Sequence, residues 1–233
     1  MSDATRETPN GSVWVVIPAY NEDAVLNEVL AGVCRYGYSV VVVDDGSRVP
    51  AASFVTEPVH LLRHCVNLGQ GAALQTGIDY ALARGAEYVV TFDSDGQHLA
   101  EEIERLLEPL RTTDAQVALG TRFARGGRAL NIKPMRVLTL KVGTLLTRLS
   151  TGLDITDTHN GFRALRRDAA RKLRITQNRM AHASQILEEI ARLGLRYAEV
   201  PVTIRYTEHS MRKGQKLSNA FNILWESMSE RFS

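Results

Sequence analysis

The first half of the chain alternates between two hydrophobic periods. "VWVVIP" (Val13–Pro18) is a nearly continuous apolar run, the pattern of a strand covered on both faces. "AVLNEVLAGVCRYG" then sets Val25, Leu26, Val29, Leu30 and Val33 at helical spacing, with Gly37 placed to end the helix. "SVVVVDDGS" (Ser39–Ser47) predicts a second buried strand running into acidic turn residues, and "HLLRH" (His60–His64) a weaker one. A helix over Gly69–Gly85, a strand over Glu87–Asp93, a helix over Leu99–Leu110 and a strand over Ala115–Arg122 complete the series. Strands alternating with longer helices predict βαβ units, a mostly parallel sheet and helices on both of its faces.

The second half is less regular. Pro134–Leu153 has a long helical pattern, with Val137, Leu138, Leu140, Leu145, Leu146 and Leu149 apolar and Arg136, Lys141 and Arg148 among them. It predicts a helix that either packs or lies on lipid with its basic side chains at the headgroups. Ala183–Gly194 is amphipathic, Arg196–Tyr206 reads as a strand that Pro201 pushes to an edge or bends, and a last helix carries Phe221, Leu224, Trp225 and Met228 on one face.

The chain has 233 residues and 44% hydrophobic content, and no Pro/Gly/Ser-rich linker divides it, so we read one domain after a polar, fraying N-terminus (residues 1–12). A net charge of +2 says little about partners, but residues 122–174 carry thirteen Lys/Arg against three Asp, a surface suited to phosphates or an anionic membrane. No apolar run approaches the roughly 20 residues of a membrane span. Cys34 and Cys65 have no ligand spacing and read as reduced thiols. With no signal pattern at the N-terminus, a cytoplasmic location is expected. No basic motif is interleaved with aromatics, so nucleic acid is not an expected partner.

Three strand ends carry unusual chemistry: "PAYNE" after the first, "DDGS" after the second and "DSDGQH" after the third long one. Ligands of open α/β sheets bind beyond the carboxyl ends of the strands, so a parallel sheet gathers all three clusters at one edge. Asp93 and Asp95 turn through Gly96 and can meet one hard cation, with Gln97 and His98 adding or orienting a ligand. Taken alone, "DSDG" fits a solvated Asx turn and Asp45-Gly46 a hairpin turn; the shared strand-end context favours chemistry. The glycines of "NLGQGAALQTG" allow close backbone approach at a helix start, although the stretch is no Walker A loop.

"VVIPAYNE", "VVVVDDGS", "NLGQGAALQTG", "VTFDSDGQH", "LGTR" and "NGFRAL" come in the order seen in inverting family 2 glycosyltransferases. Over residues 13–216 the chain resembles the branch with dolichyl-phosphate mannose synthase and bacterial polyprenyl-phosphate sugar transferases. The resemblance implies a GT-A fold: an α/β, Rossmann-like, mostly parallel central sheet flanked by helices, with a helical, basic C-terminal acceptor region. The single domain of residues 13–233 would divide into a nucleotide-sugar half (13–122) and an acceptor, membrane-facing half (123–233).

The same resemblance implies roles. Pro18, Tyr20 and Glu22 would contact the nucleobase and ribose, with Asp44 or Asp45 binding base or ribose. Asp93 would approach the donor, while Asp95 and Gln97 would hold Mg²⁺ or Mn²⁺ against the diphosphate. Gln70 stands where the family commonly has Lys, beside the diphosphate. Arg122, Arg136 and Thr139 would hold the acceptor phosphate, and Arg205 with Lys213 of "HSMRKGQK" would belong to a basic flap over the donor. Asp157, His159 and Asn160 are expected in a turn near the acceptor.

The function this implies is metal-dependent transfer of one sugar from a nucleotide-sugar donor to polyprenyl phosphate. The enzyme would be peripheral on the cytoplasmic face of the cell membrane, with a small membrane protein as one route to it; self-association is compatible with the sequence. The alternative is transfer to a hydroxyl of a lipid-linked glycan in surface polysaccharide synthesis, which needs a general base. "NRMAHASQILEE" offers no Asp for that task, and a phosphate acceptor needs none because it is already an anion. Two rivals remain: a non-catalytic nucleotide-sugar-binding module, against which the intact "DSD" argues, and nucleotidyltransfer, against which the absence of a Gly-rich, Arg/Lys-bearing loop just after the first strand argues.

Overall fold

The computed structural model describes residues 12–23, 25–177 and 182–206. Five strands and three helices come first: β1 (Val13–Ala19), α1 (Leu26–Cys34), β2 (Ser39–Asp44), β3 (His60–Arg63), α2 (Gln70–Ala83), β4 (Tyr88–Thr91), α3 (Ile103–Thr112) and β5 (Val117–Thr121). There follow β6 (Arg128–Leu130), α4 (Pro134–Thr151), β7 (Arg163–Arg166), α5 (Arg167–Lys172), α6 (His182–Arg192), β8 (Tyr197–Pro201) and β9 (Thr203–Arg205). Seven strands form one sheet in the order β3-β2-β1-β4-β7-β5-β8, and β6 pairs with β9 in a small second sheet.

Only β7 runs against its neighbours in the large sheet, antiparallel to both β4 and β5. The other pairings are parallel, so β1, β2, β4 and β5 all deliver their carboxyl ends to one edge. The sheet separates two cores. Val13, Val15 and Ile17 of β1 pack with α1 and α3 side chains such as Leu30 and Leu106. Trp14 and Val16 face the other way, onto Leu74 and Ile78 of α2 and Leu187 of α6. Burial on both faces is why β1 and β2 are apolar at nearly every position, each such side chain contributing about 1.5–3 kcal/mol. α2 approaches β1 closely through Gly77, where a Cβ would lie 2.3 Å from Val16 Cγ1.

Several expectations shift. The Arg196–Tyr206 strand divides at Val202: β8 ends on Pro201 at the sheet edge, and β9 leaves to join β6. β7 and α5 occupy a stretch for which the pattern gave no element. The helix from residue 134 forms nearly as read, ending with Gly152 in a left-handed conformation (φ 72°). The last helix, with Phe221 and Trp225, lies outside the described residues.

Candidate active site

The edge where β1, β2 and β4 end holds the densest polar chemistry. Asp93, two residues past β4, is caged. Gln70, the first residue of α2, donates its amide to Asp93 Oδ1 at 3.0 Å, and His98 Nε2 donates to Oδ2 at 2.9 Å. The His98 ring stacks on Phe162 (centroids 4.9 Å apart) and meets Phe92 edge-on. The chain passes so close at Gly161 that a Cβ there would lie 2.7 Å from Oδ2. Burial pushes the Asp93 carboxyl up, but the His98 hydrogen bond and the positive charge of His98, His182 and Arg163 outweigh it and hold the group below its ordinary value.

Asp95 goes the other way: burial and the Asp93 charge raise its pKa, opposed by His98 and by Gln97. Gln97 donates its backbone amide to Asp95 Oδ1 at 3.0 Å and its side-chain amide to Oδ2. Two neighbouring carboxyls pushed apart in this way mark functional chemistry. The Asp95 carboxylate supplies hard oxygen donors of the kind Mg²⁺ and Mn²⁺ accept, with the Gln97 side chain against it. Among the described residues no cluster of three His, Cys, Asp or Glu forms a closed cage. The residues therefore fit a cation that takes most of its ligands from substrate oxygens and water.

The expected donor-side residues divide. Gln70 stands in the site, but its amide is given to Asp93 rather than offered to a diphosphate. Asp44 and Asp45, expected at the nucleobase or ribose, both hold loops of the protein itself. Asp44 accepts the Ser47 and Ala51 amides at 2.8 and 3.0 Å. Asp45 accepts the Leu68 and Gly69 amides at 2.9 and 2.8 Å and pairs with His64 at 2.7 Å. Both are buried and brace the loops that shape the edge. Pro18 is buried within β1. Tyr20 is 46% exposed just past it, and the Glu22 carbonyl accepts the Val25 and Leu26 amides at the start of α1.

Arg122, expected at the acceptor phosphate, makes several contacts within the protein. Its guanidinium is enclosed: Nε donates to Asp157 Oδ2 at 2.6 Å and Nη2 to Asp157 Oδ1 at 3.1 Å. Nη2 also reaches the His159 carbonyl at 2.8 Å, and Nη1 donates to the Tyr206 hydroxyl. These contacts tie the end of β5 to the Asp157–Asn160 turn and to Tyr206. Arg136, near the start of α4, lies over the Tyr206 ring at 4.9 Å from its centroid. Thr139 donates its hydroxyl to the Met135 carbonyl at 3.0 Å, within its own helix. The Arg205 backbone amide donates to the Gln97 carbonyl at 3.0 Å, while its side chain lines a separate cavity with Leu99, Arg105 and Arg128. Lys213 lies outside the described residues.

Three residues gain importance that the sequence did not give them. Arg163, buried at the head of β7, donates to the Ala183 carbonyl at 3.1 Å and sends its charge toward Asp93 and Asp157. Burial lowers its pKa to about 10. Gly161 is the close approach over Asp93, and Tyr206 joins Arg122 to Arg136. Arg163 and Gly161 lay inside "NGFRAL", whose recurrence was the available signal; nothing local marks Tyr206.

The expected turn Asp157–Asn160 sits beside these groups, its backbone fixed by Arg122 and its His159 ring against Gly143 of α4. Burial holds the His159 imidazole neutral, with a pKa of about 4.

A mostly parallel sheet with paired carboxylates at its carboxyl edge and one inserted antiparallel strand is the GT-A glycosyltransferase fold. Glucosyl-3-phosphoglycerate synthase from Mycobacterium tuberculosis, solved with Mn²⁺, UDP and phosphoglyceric acid, superposes with a TM-score of 0.70 over 93% of this chain and 77% of that one, at 20% identity. The chain belongs to Glycosyl transferase family 2, whose model matches residues 14–174, and it is a glycosyltransferase. It is 34% identical to an undecaprenyl-phosphate mannosyltransferase of Micrococcus luteus over 82% of each chain. It is 30% identical to a polyprenol monophosphomannose synthase of Mycolicibacterium smegmatis over 90% of this chain and 82% of that one. A UDP-N-acetylglucosamine–dolichyl-phosphate N-acetylglucosaminyltransferase of Methanococcus voltae is 29% identical over 91% and 93%.

Proposed function

We propose that this enzyme transfers one sugar from a nucleotide-sugar donor to a polyprenyl phosphate at a membrane surface, with a bound divalent cation. The relatives named for lipid-phosphate acceptors support the acceptor class. The observation that carries the reading is α4, which contains Arg136 and turns its apolar side outward. Met135, Leu138, Val142, Leu145 and Leu149 fall on one stripe and are 47–76% exposed, whereas Leu140, Gly143, Thr144 and Thr147 face the protein. Lys141 and Arg148 border the stripe, the arrangement of a helix lying in a lipid interface. No helix among the described residues is long and apolar enough to cross a membrane.

The chemistry follows from the acceptor. A phosphate monoester is a nucleophile at neutral pH and needs cations rather than a base. Glu189 on α6 is held by Arg192 through two hydrogen bonds of 2.8 and 2.7 Å. Asp93, kept ionised by His98 and fixed by Gln70, holds negative charge beside the donor's reacting carbon. Asp95 and Gln97 would hold the cation, which when bound neutralises the departing nucleoside diphosphate.

The test is release of nucleoside diphosphate from a panel of UDP- and GDP-sugars with Mn²⁺ or Mg²⁺, with and without undecaprenyl phosphate and EDTA. Release that needs both the metal and the lipid phosphate is the expected result. Release that needs a lipid-linked saccharide instead would overturn the acceptor assignment.

A further inference from the structure

We propose that the cavity beside the β6–β9 sheet is a second ligand site, for a phosphate-bearing anion, apart from the donor and acceptor positions described above. The cavity encloses about 490 Å³ between that sheet and the start of α3, and its walls carry Glu101, Glu102, Arg105, Arg128, Thr203 and Arg205. Small-molecule sites commonly measure roughly 300–1,000 Å³. β6 and β9 pair in parallel, with Arg128 opposite Thr203 and Leu130 opposite Arg205. Alternate residues of a strand share a face, so these four turn to the cavity while Ala129 and Ile204 pack into the core behind them.

The acidic side chains of the cavity are already engaged. Glu102 is buried and accepts the Thr203 backbone amide at 2.7 Å, the Thr203 hydroxyl at 3.1 Å and Arg105 Nη1 at 3.1 Å. Glu101 pairs with Arg35, just past α1, at 3.7 Å. The Arg128 and Arg205 side chains have neither an ion pair nor a hydrogen bond among the described residues. A strand spacing of about 4.8 Å and a rise of about 3.3 Å per residue set their Cα atoms about 8 Å apart on a diagonal of the ribbon. Both guanidiniums can therefore swing onto one phosphate or span two, each offering a fork of N–H donors. A phosphate monoester carries about two negative charges at neutral pH, which matches the two unmatched cations. Arg105, fixed by Glu102 on the facing wall, has further N–H groups to add.

The site is wired to the loop that carries Asp95. The Arg205 backbone amide donates to the Gln97 carbonyl, and the Tyr206 amide to the Leu130 carbonyl. A ligand that clasps Arg128 and Arg205 ties the two short strands together and braces that loop. Its phosphate can belong to a soluble compound or to the headgroup of an anionic lipid, since only three residues separate β6 from α4 and its exposed apolar stripe.

The test uses the full chain in EDTA and without donor, so that neither metal nor nucleotide takes part. Tripolyphosphate is titrated by calorimetry, and sedimentation with phosphatidylcholine vesicles, with and without phosphatidylglycerol, forms the lipid arm. Arg128→Gln and Arg205→Gln should each weaken binding roughly 3- to 30-fold, between the loss of an exposed ion pair and that of a buried charge-assisted hydrogen bond. Lys172→Gln makes the same loss of charge on α5, which packs on the opposite face of the sheet from α3, and should stay within about twofold of wild type.

An arginine effect on tripolyphosphate alone assigns a soluble ligand, one on phosphatidylglycerol vesicles alone assigns a headgroup, and one on both assigns the chemistry they share. Amide hydrogen exchange should slow in β6 and β9 when the probe binds. Wild-type affinity for both probes in Arg128→Gln, slowing confined to other elements, or no binding of either probe by the wild type would overturn the site. None of these outcomes bears on the sugar-transfer reading, whose assay requires donor and metal.

Discussion

Replacing Arg122 by Met decides whether this side chain is a ligand or a structural anchor. The substitution removes the partner of Asp157 while roughly keeping the stem's volume. It leaves a carboxylate whose side chain is fully enclosed, and it deletes the hydrogen bonds to Tyr206 and the His159 carbonyl. Breaking a buried pair from one side costs about 3–5 kcal/mol. For a chain of this size each kcal/mol lowers the midpoint by about 2–4 °C, so R122M should melt roughly 6–20 °C below wild type. Scanning calorimetry of the full chain measures it. The double variant R122M/D157L, which removes both charges, should recover most of the loss because no unpaired charge remains. If R122M instead melts within about 2 °C of wild type while losing lipid-phosphate binding, Arg122 is a ligand and the burial argument is wrong.

Gly161→Ala would thrust a methyl to 2.7 Å from Asp93 Oδ2; turnover should fall roughly 100-fold while nucleotide affinity stays within about threefold, as steady-state rates and calorimetry would show. Asp95→Asn should abolish Mn²⁺-stimulated turnover, and titrating Mn²⁺ by electron spin resonance with UDP present should show the bound fraction collapse. His159 gives a pH signature. Its folded pKa of about 4 lies below the ordinary 6.5, so the unfolded chain takes up the proton first. This site leaves stability untouched above pH 6.5 and removes up to about 3 kcal/mol as pH falls to 4. Urea titrations at stepped pH should show that slope in the wild type and its loss in His159→Gln.

The strands of the first half were legible because burial on both faces leaves an apolar run that needs no context, as in Val13–Pro18. β7 was not: its four residues begin and end with arginine, and its place is set by β4 and β5, far off in sequence. β6 and β9, three residues each, are too short for any period to show. At the site, Asp93 and Asp95 were readable because two carboxylates and an amide at a strand end have few structural uses. The direction of Asp45 was not, since it depends on how the segment from His64 to Gly69 folds back on it, and that of Asp44 depends on the loop from Ser47 to Ala51. The pairing of Arg122 was not legible either: its partner stands 35 residues away, and a basic residue after a strand looks alike whether it meets a phosphate or a buried aspartate.

The inserted strand β7 has a bearing on how such enzymes diversify. The chain leaves the sheet after Thr121 and returns to it at Arg163, and because β7 is reversed, departure and return fall on the same edge. The excursion between them carries β6 and α4, and Arg122 and Asp157 close its neck like a clasp. Lengthening a closed loop is cheap, about 0.6 kcal/mol per doubling. Descendants of this gene can therefore enlarge, shorten or rewrite that cassette without disturbing the carboxylates beneath it, so that recipients of the sugar can change while the handling of the donor is inherited intact.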